Sequence, residues 1–322
     1  ALDLSHTSGR DALSALLKTA DVLIENFSPR VMPQLGFDEE RLRQLQPELI
    51  YVTMPGYGRS GPGRERVAYG PIVDAHAGLA SLMGYEGEPA RSAGVAWPDP
   101  VAGMHAAAAT LVAVLNRAAG EPAAVVEVAQ IEATVGMVGA ALARYQMENQ
   151  LPVATGNHHS HWPLQAVIRC AGEDRWVALT VVNEAGLSHV SAAIGTDPVP
   201  WSNPNRLVPA IETWSRTRDQ DEVVDVLSAD GVAVAAVADA QQVLDDPQLA
   251  ANDAWVRTRH PAAGDETWPR TAIQFDHRPL EVERPAPLLG QHNRVLIDEA
   301  DIPIATYDRL IAAGILTTIP PD

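Results

Sequence analysis

Leu49-Ile50-Tyr51-Val52-Thr53-Met54-Pro55-Gly56-Tyr57-Gly58-Arg59-Ser60-Gly61-Pro62-Gly63 joins an apolar run to a glycine-rich one. The run from Leu49 to Met54 is rich in β-branched side chains and shows no polar alternation. It predicts a strand. The glycines that follow put a turn at the strand's carboxyl end, where open α/β sheets bind their ligands. Upstream, Asp21-Val22-Leu23-Ile24-Glu25 reads as a second short buried strand, and helices are predicted over Arg10 to Thr19 and Glu39 to Gln46. That alternation of helix and strand is the pattern of a parallel α/β sheet.

Downstream, helices are predicted from Pro71 to Met83 and from Asp99 to Arg117, then a strand over Val125 to Val128 and a long helix from about Ile131 to Asn149. Between about Asn157 and Val237 the elements shorten, with a strand at Arg175 to Val182 and a helix at Asp219 to Asp230. This predicts a smaller α+β domain. From Gln248 the chain is rich in proline and arginine, with few regular elements before a helix at Ile304 to Ala313. The expected organisation is a large α/β domain over 1–155, a small α+β domain over 156–246, and a return to the large domain over 247–322.

Within this frame, Trp97-Pro98-Asp99-Pro100-Val101-Ala102-Gly103-Met104-His105 sets one carboxylate at the mouth of a helix. Asp99 is expected as the N-cap and Pro100 at the first helical position. Val101, Met104, Ala108, Leu111, Val112 and Leu115 then recur at helical spacing. A carboxylate there lies against the positive end of the helix dipole, with free backbone N–H groups nearby, and stays ionised. Ionised and lightly solvated, it can serve as a nucleophile. The plainer alternative is that Asp99 only caps the helix.

The 322 residues, 46% of them hydrophobic, suffice for two domains and a sizeable core. A formal net charge of −18 argues against a general nucleic-acid or membrane-surface binder, since both polyanions are repelled. Lys18 is the only lysine, so anion recognition falls to arginines, helix ends and backbone amides. Cys170 stands alone and cannot form an internal disulfide, which fits a cytoplasmic protein. No secretory leader and no uninterrupted apolar run of membrane-spanning length is expected. His158, His159 and His161 lie close together, but no carboxylate or thiol stands at supporting spacing, so no metal is expected. Ala1-Leu2-Asp3-Leu4 reads as the end of a strand or a turn inside a domain.

The order and spacing of several short landmarks carry a resemblance. They are Ala20-Asp21-Val22-Leu23-Ile24-Glu25-Asn26-Phe27, Leu35-Gly36-Phe37, Pro47-Glu48-Leu49-Ile50-Tyr51, Gly56-Tyr57-Gly58 with Gly61-Pro62, Asp99 with Gly103, Gly156-Asn157, and Pro285-Ala286-Pro287-Leu288-Leu289-Gly290. Along nearly its full length the chain resembles the class III CoA-transferases, the family of formyl-CoA transferase, carnitine CoA-transferase and α-methylacyl-CoA racemase. The resemblance implies a Rossmann-like large domain with a smaller α+β domain and an interlocked homodimer. It implies CoA transfer from an acyl-CoA to a carboxylic acid, with coenzyme A as co-substrate and no tightly bound cofactor. Asp99 is then the nucleophile, passing through a mixed anhydride and an aspartyl-CoA thioester. Contacts to CoA are implied for Leu2, Asn26, Phe27, Ser28, Leu35 and Tyr69, with Tyr69 shaping the acyl pocket.

The departures are specific. Gln34 and Val67 stand where formyl-CoA transferase has an arginine and a lysine for the CoA phosphates; Arg30, Arg59, Arg64 and Arg66 are the candidates to compensate. The stretch Gly156 to His161 falls where that enzyme has a mobile glycine-rich loop, and His105 reads as a packed or supporting residue. Family members begin with a strand-turn-helix unit that lies upstream of the first residue here. Two rivals follow: an acyl-CoA racemase or epimerase, disfavoured because a tyrosine at position 69 is a poor base at neutral pH, and a catalytically silent CoA-binding or structural subunit.

Overall fold

The computed structural model describes residues 1–159, 161–162 and 164–318. The chain divides into two compact units, Ala1–Ala154 with Pro287–Asp322, and Thr155–Ala286. The sequence-based limits were 156 and 246; residues 247–286 group with the middle unit.

The first unit runs α1 (Thr7–Leu17), β1 (Val22–Glu25), α2 (Val31–Gln34), α3 (Glu39–Leu45), β2 (Ile50–Thr53), α4 (Gly70–His76), α5 (Pro98–Ala118), β3 (Val125–Glu127), α6 (Gln130–Met137) and α7 (Gly139–Glu148). The three strands form a parallel sheet in the order β1-β2-β3, with Val52 of β2 paired to Ile24 and to Val126. Every residue of β2 is buried. Tyr51 faces Leu17, Met32, Phe37 and Leu42 from α1, α2, the α2–α3 turn and α3, whereas Ile50 and Val52 face Ala106 and Ala113 of α5. Helices on both faces explain why this strand reads as a continuous apolar run. Asp38 starts α3 by accepting the Arg41 N–H at 2.8 Å.

Helix α5 departs from expectation in the face it buries. Its large apolar residues do not face the sheet: Met104, Leu111 and Leu115 are 65%, 66% and 68% exposed, and small residues make the contact instead. By length and composition its 21 residues would also suffice to cross a membrane, although Asp99, His105, Thr110, Asn116 and Arg117 interrupt its apolar run, as the sequence expectation has it. The predicted helix from Ile131 to Asn149 is two helices, since Val138 leaves helical geometry (φ −98°, ψ 12°) between Gly136 and Gly139. The predicted helix from Pro71 to Met83 ends at His76, followed by a turn at Gly78 (φ 90°) and a short 3₁₀ turn over Ala80–Leu82.

The second unit comprises β4 (Leu164–Arg169), β5 (Trp176–Val181), α8 (Glu184–Ala193), α9 (Val208–Ser215), α10 (Gln220–Leu227), β6 (Val232–Ala236), α11 (Ala240–Leu244), α12 (Pro247–Ala251), β7 (Trp255–His260), β8 (Gly264–Pro269), β9 (Gln274–Phe275) and β10 (Arg278–Pro279). Strands β4, β5 and β6 form an antiparallel sheet, and Leu164, Ile168, Val177, Leu179 and Val181 alternate into a core with Leu187, Val190, Ile211, Val223 and Leu227. The antiparallel β7–β8 pair and the short β9–β10 pair occupy the stretch read as poor in regular structure. Its prolines and arginines masked the alternation. The chain then returns to the first unit through α13 (Asn293–Glu299) and α14 (Ile304–Ala312), where Leu2 bridges to Leu316 beside Ala12, Ile297 and Leu310.

Candidate active site

The carboxyl ends of β1 and β2 open onto a cleft of about 480 Å³, within the size range of small-molecule sites. Asn26, Phe27 and Ser28 enter it from the end of β1. Glu25 steadies that turn: its Oε2 accepts the Phe27 N–H at 2.7 Å and its Oε1 accepts the Tyr51 hydroxyl at 2.9 Å. Burial and the Glu25 carboxylate push the Tyr51 phenol well above its ordinary range, so it holds its proton. Gly56 follows β2 and lies so close to Ala68 that a Cβ there would overlap it. Gln130, buried at the start of α6, ties that end of the cleft to β2 by donating to the Met54 carbonyl at 3.3 Å.

Asp99 projects into the same cleft from the first turn of α5. The helix starts two residues earlier than expected: the Trp97 carbonyl accepts the Val101 N–H at 3.1 Å, which makes Trp97 the N-cap and Pro98 the first helical residue. Asp99 is therefore inside the first turn and does not cap it. The free amides expected beside it are missing too. Pro98 and Pro100 have no N–H, and the Asp99 N–H is used by the Ala96 carbonyl at 3.3 Å. Among the described residues the Asp99 carboxylate has no hydrogen bond or ion pair and is solvent-exposed. It keeps the dipole of a 21-residue helix behind it and unshared lone pairs in front.

Gly70 is the residue that sequence reading missed. A Cβ at that position would overlap both Asp99 Oδ2 and Ala96. Its backbone angle is ordinary, so the requirement is space, and no local pattern around Tyr69-Gly70-Pro71 announces it. Tyr69, 70% exposed, precedes it as the N-cap of α4 and lines the cleft with Phe27 and Val67. Arg30, Arg64, Glu65 and Arg66 supply the charged part of the wall.

Of the residues singled out from sequence, Asn26, Phe27, Ser28, Tyr69 and Asp99 meet in this cleft. Leu35 packs instead beside Met32 and Phe37, and Leu2 lies beside α13 and α14; neither lines it. Arg59 is held away by Glu39 and by its own N–H, which donates to Glu127 Oε1 at 2.6 Å. His105 is exposed, its Nδ1 against the Val101 carbonyl at 2.8 Å, and is not packed as expected. In the other unit, the His159 ring lies at 5.3 Å from that of His161 and stacks on Trp162, while Ser160 lies outside the described residues. Among the described residues no group of three or more histidine, cysteine or acidic side chains is set to hold a metal.

A parallel sheet with helices on both faces and a ligand cleft at its strand ends defines an α/β protein with a small-molecule site. The particular family follows from comparison: the chain belongs to CoA-transferase family III, whose pattern matches residues 1–293. It is 27% identical over 317 residues to a formyl-CoA:oxalate CoA-transferase of Streptomyces avermitilis, covering 91% of this chain and 77% of that one. It is 24% identical to a succinyl-CoA–D-citramalate CoA-transferase of Chloroflexus aurantiacus, over 92% of this chain and 77% of the relative. A crystal structure of a CaiB/BaiF family protein from Brucella suis shares the fold, with a TM-score of 0.84 at 23% identity over 93% of this chain and 80% of that one.

Proposed function

We propose that this protein transfers CoA from an acyl-CoA to a carboxylic acid, with Asp99 as the nucleophile. The observation that carries the reading is an exposed carboxylate at a helix start, free of partners among the described residues, facing a cleft from which Gly70 withholds a side chain. Nucleophilic catalysis needs such an ionised, unshared lone pair at the reacting carbon. The names of the two relatives, a formyl-CoA:oxalate and a succinyl-CoA–D-citramalate CoA-transferase, support the same chemistry.

Asp99 attacks the thioester carbonyl; the carbon–sulfur bond breaks, leaving an acyl-aspartyl anhydride and CoA thiolate. The thiolate attacks the aspartyl carbonyl carbon and expels the donor acid as its carboxylate, leaving an aspartyl-CoA thioester. The acceptor carboxylate attacks that thioester, forming a second anhydride and freeing the thiolate again. The thiolate then attacks the acceptor's acyl carbon, releasing the new acyl-CoA and restoring the Asp99 carboxylate. Phe27, Val67 and Tyr69 give the apolar wall against which the acyl group and pantetheine arm lie, with Asn26 and Ser28 as polar contacts. The working form is a homodimer.

Intact-protein mass spectrometry after mixing with a panel of acyl-CoAs tests the mechanism. The expected result is a mass increase matching acyl or CoA on the native chain and none on Asp99→Asn. A native chain that is folded and acquires no adduct from any donor refutes it.

A further inference from the structure

Asp74 on α4 is fully buried and lies outside the cleft. Its Oδ2 accepts the Ser92 hydroxyl at 3.2 Å, and its Oδ1 has no hydrogen-bond partner among the described residues. A carboxyl group taken out of water with one oxygen unpaired is costly, so its presence calls for a reason. Ser92 belongs to the stretch 84–94, which is largely exposed and holds no helix or strand. The other hydrogen bonds of that stretch are local: the Glu88 N–H donates to the Tyr85 carbonyl at 3.0 Å, the Arg91 N–H donates to the Met83 carbonyl at 3.2 Å, and the Arg91 guanidinium pairs with Glu88. Among the described residues, Ser92 to Asp74 is the one hydrogen bond that ties the stretch to a helix or strand. Asp74 stands about one helical turn after Gly70. Ser92 stands as far before Ala96, and Ala96 fills the space where a side chain at Gly70 would lie. The two contacts are rungs between α4 and a segment that runs the opposite way. The inner rung borders the Asp99 carboxylate, and the Ala96 carbonyl also accepts the Asp99 N–H at 3.3 Å.

We infer that Asp74 is a positioning residue for Asp99: through Ser92 it clamps the 84–94 stretch to α4 and so fixes the Gly70–Ala96 contact against which the Asp99 carboxylate stands. The inference rests on the reading of Asp99 as the nucleophile. A hydroxyl bound to a buried carboxyl oxygen is directional and shielded from water, and it fixes a distance that an exposed ion pair such as Arg91 with Glu88 does not. Neither Asp74 nor Ser92 lines the cleft, so the clamp governs where Asp99 stands and not what the substrate touches. Its loss therefore slows the chemical step while leaving affinity alone.

Single-turnover adduct formation on the whole chain, followed by intact-protein mass spectrometry at saturating acyl-CoA and paired with isothermal titration of CoA, tests this. Ser92→Ala and Asp74→Ala should each slow adduct formation by about tenfold or more at unchanged CoA affinity, and the double variant should be no slower than the slower single one, since both remove the same contact. Ser92→Thr keeps the hydroxyl and should recover most of the rate. Hydrogen exchange over residues 84–99 should quicken by about tenfold in Ser92→Ala. If Asp74→Ala fails to fold, Ser92→Ala carries the test. A native rate in Ser92→Ala, additive losses in the double variant, or CoA affinity that falls in step with the rate overturns the positioning role and leaves the Asp99 reading standing. If the native chain acquires no adduct from any donor, the Asp99 reading fails and the positioning role with it; quickened exchange in Ser92→Ala then retains the clamp, and unchanged exchange overturns that as well.

Discussion

At the residue scale, the setting of Asp99, the proposed nucleophile, is defined by what its neighbours lack: two prolines supply no amide, and Gly70 supplies no side chain. Gly70→Ala should therefore reduce adduct formation by about a hundredfold or more, because displacing a reacting group by roughly an ångström has that effect. The same variant should keep a cooperative thermal transition, read by circular dichroism; a native rate of acylation would remove Gly70 from the account. Tyr51 supplies a pH signature. Burial first, and the Glu25 charge second, raise its folded-state pKa, so the fold favours the neutral phenol. Stability is then fully present below the ordinary tyrosine value of about 10 and is lost as pH rises above it. Denaturation midpoints between pH 8 and 11 should fall more steeply for the native chain than for Tyr51→Phe; parallel curves would dissociate Tyr51 from the alkaline loss. Cys170 is buried and its thiol pKa is raised, by burial first and by Asp219 second. It should resist thiol reagents until the chain unfolds.

At the scale of elements, the contact between α5 and β2 positions Asp99, the proposed nucleophile. Ala106 and Ala113 let the helix lie close on Ile50 and Val52, and a larger side chain has no space there. Ala106→Leu should destabilise the protein by about 1–3 kcal/mol in urea denaturation. It should also lower the adduct yield at full occupancy of the folded state, since Asp99 is carried by the same helix. Unchanged stability would show that the helix and sheet adapt without strain. The break between α6 and α7 belongs to this scale as well: two glycines around Val138 ended a helix that the apolar pattern alone extended.

For the whole molecule, the outward stripe of Met104, Leu111, Val112 and Leu115 on α5 is the feature that a single chain leaves unexplained. Apolar patches of this kind mark association surfaces, and the proposed homodimer gives them a partner in a second copy. Light scattering on the eluting protein should return a dimer mass, and Leu111→Glu with Leu115→Glu should return a monomer. A monomeric native chain would refute the dimer.

Much of this protein is legible in one dimension. The strands β1, β2 and β3 and the main helices between them follow from local runs of apolar residues, because a strand buried on both faces is a continuous apolar run and a helix on a sheet imposes a period on the sequence. Asp99 could be named because it stands at a helix start that the pattern reveals, whereas Asn26, Phe27, Ser28 and Tyr69 were named from the family resemblance. What required three dimensions was whatever depends on a neighbour distant in sequence. The need for Gly70 arises from Asp99 and Ala96, the outward turn of Met104 and Leu111 from the small residues that β2 accepts, and the sharing of Glu65 between Arg30 and Arg64 from the approach of two loops. Period and propensity are properties of a segment, whereas space and charge balance belong to the set of segments that meet, and only the folded chain determines that set.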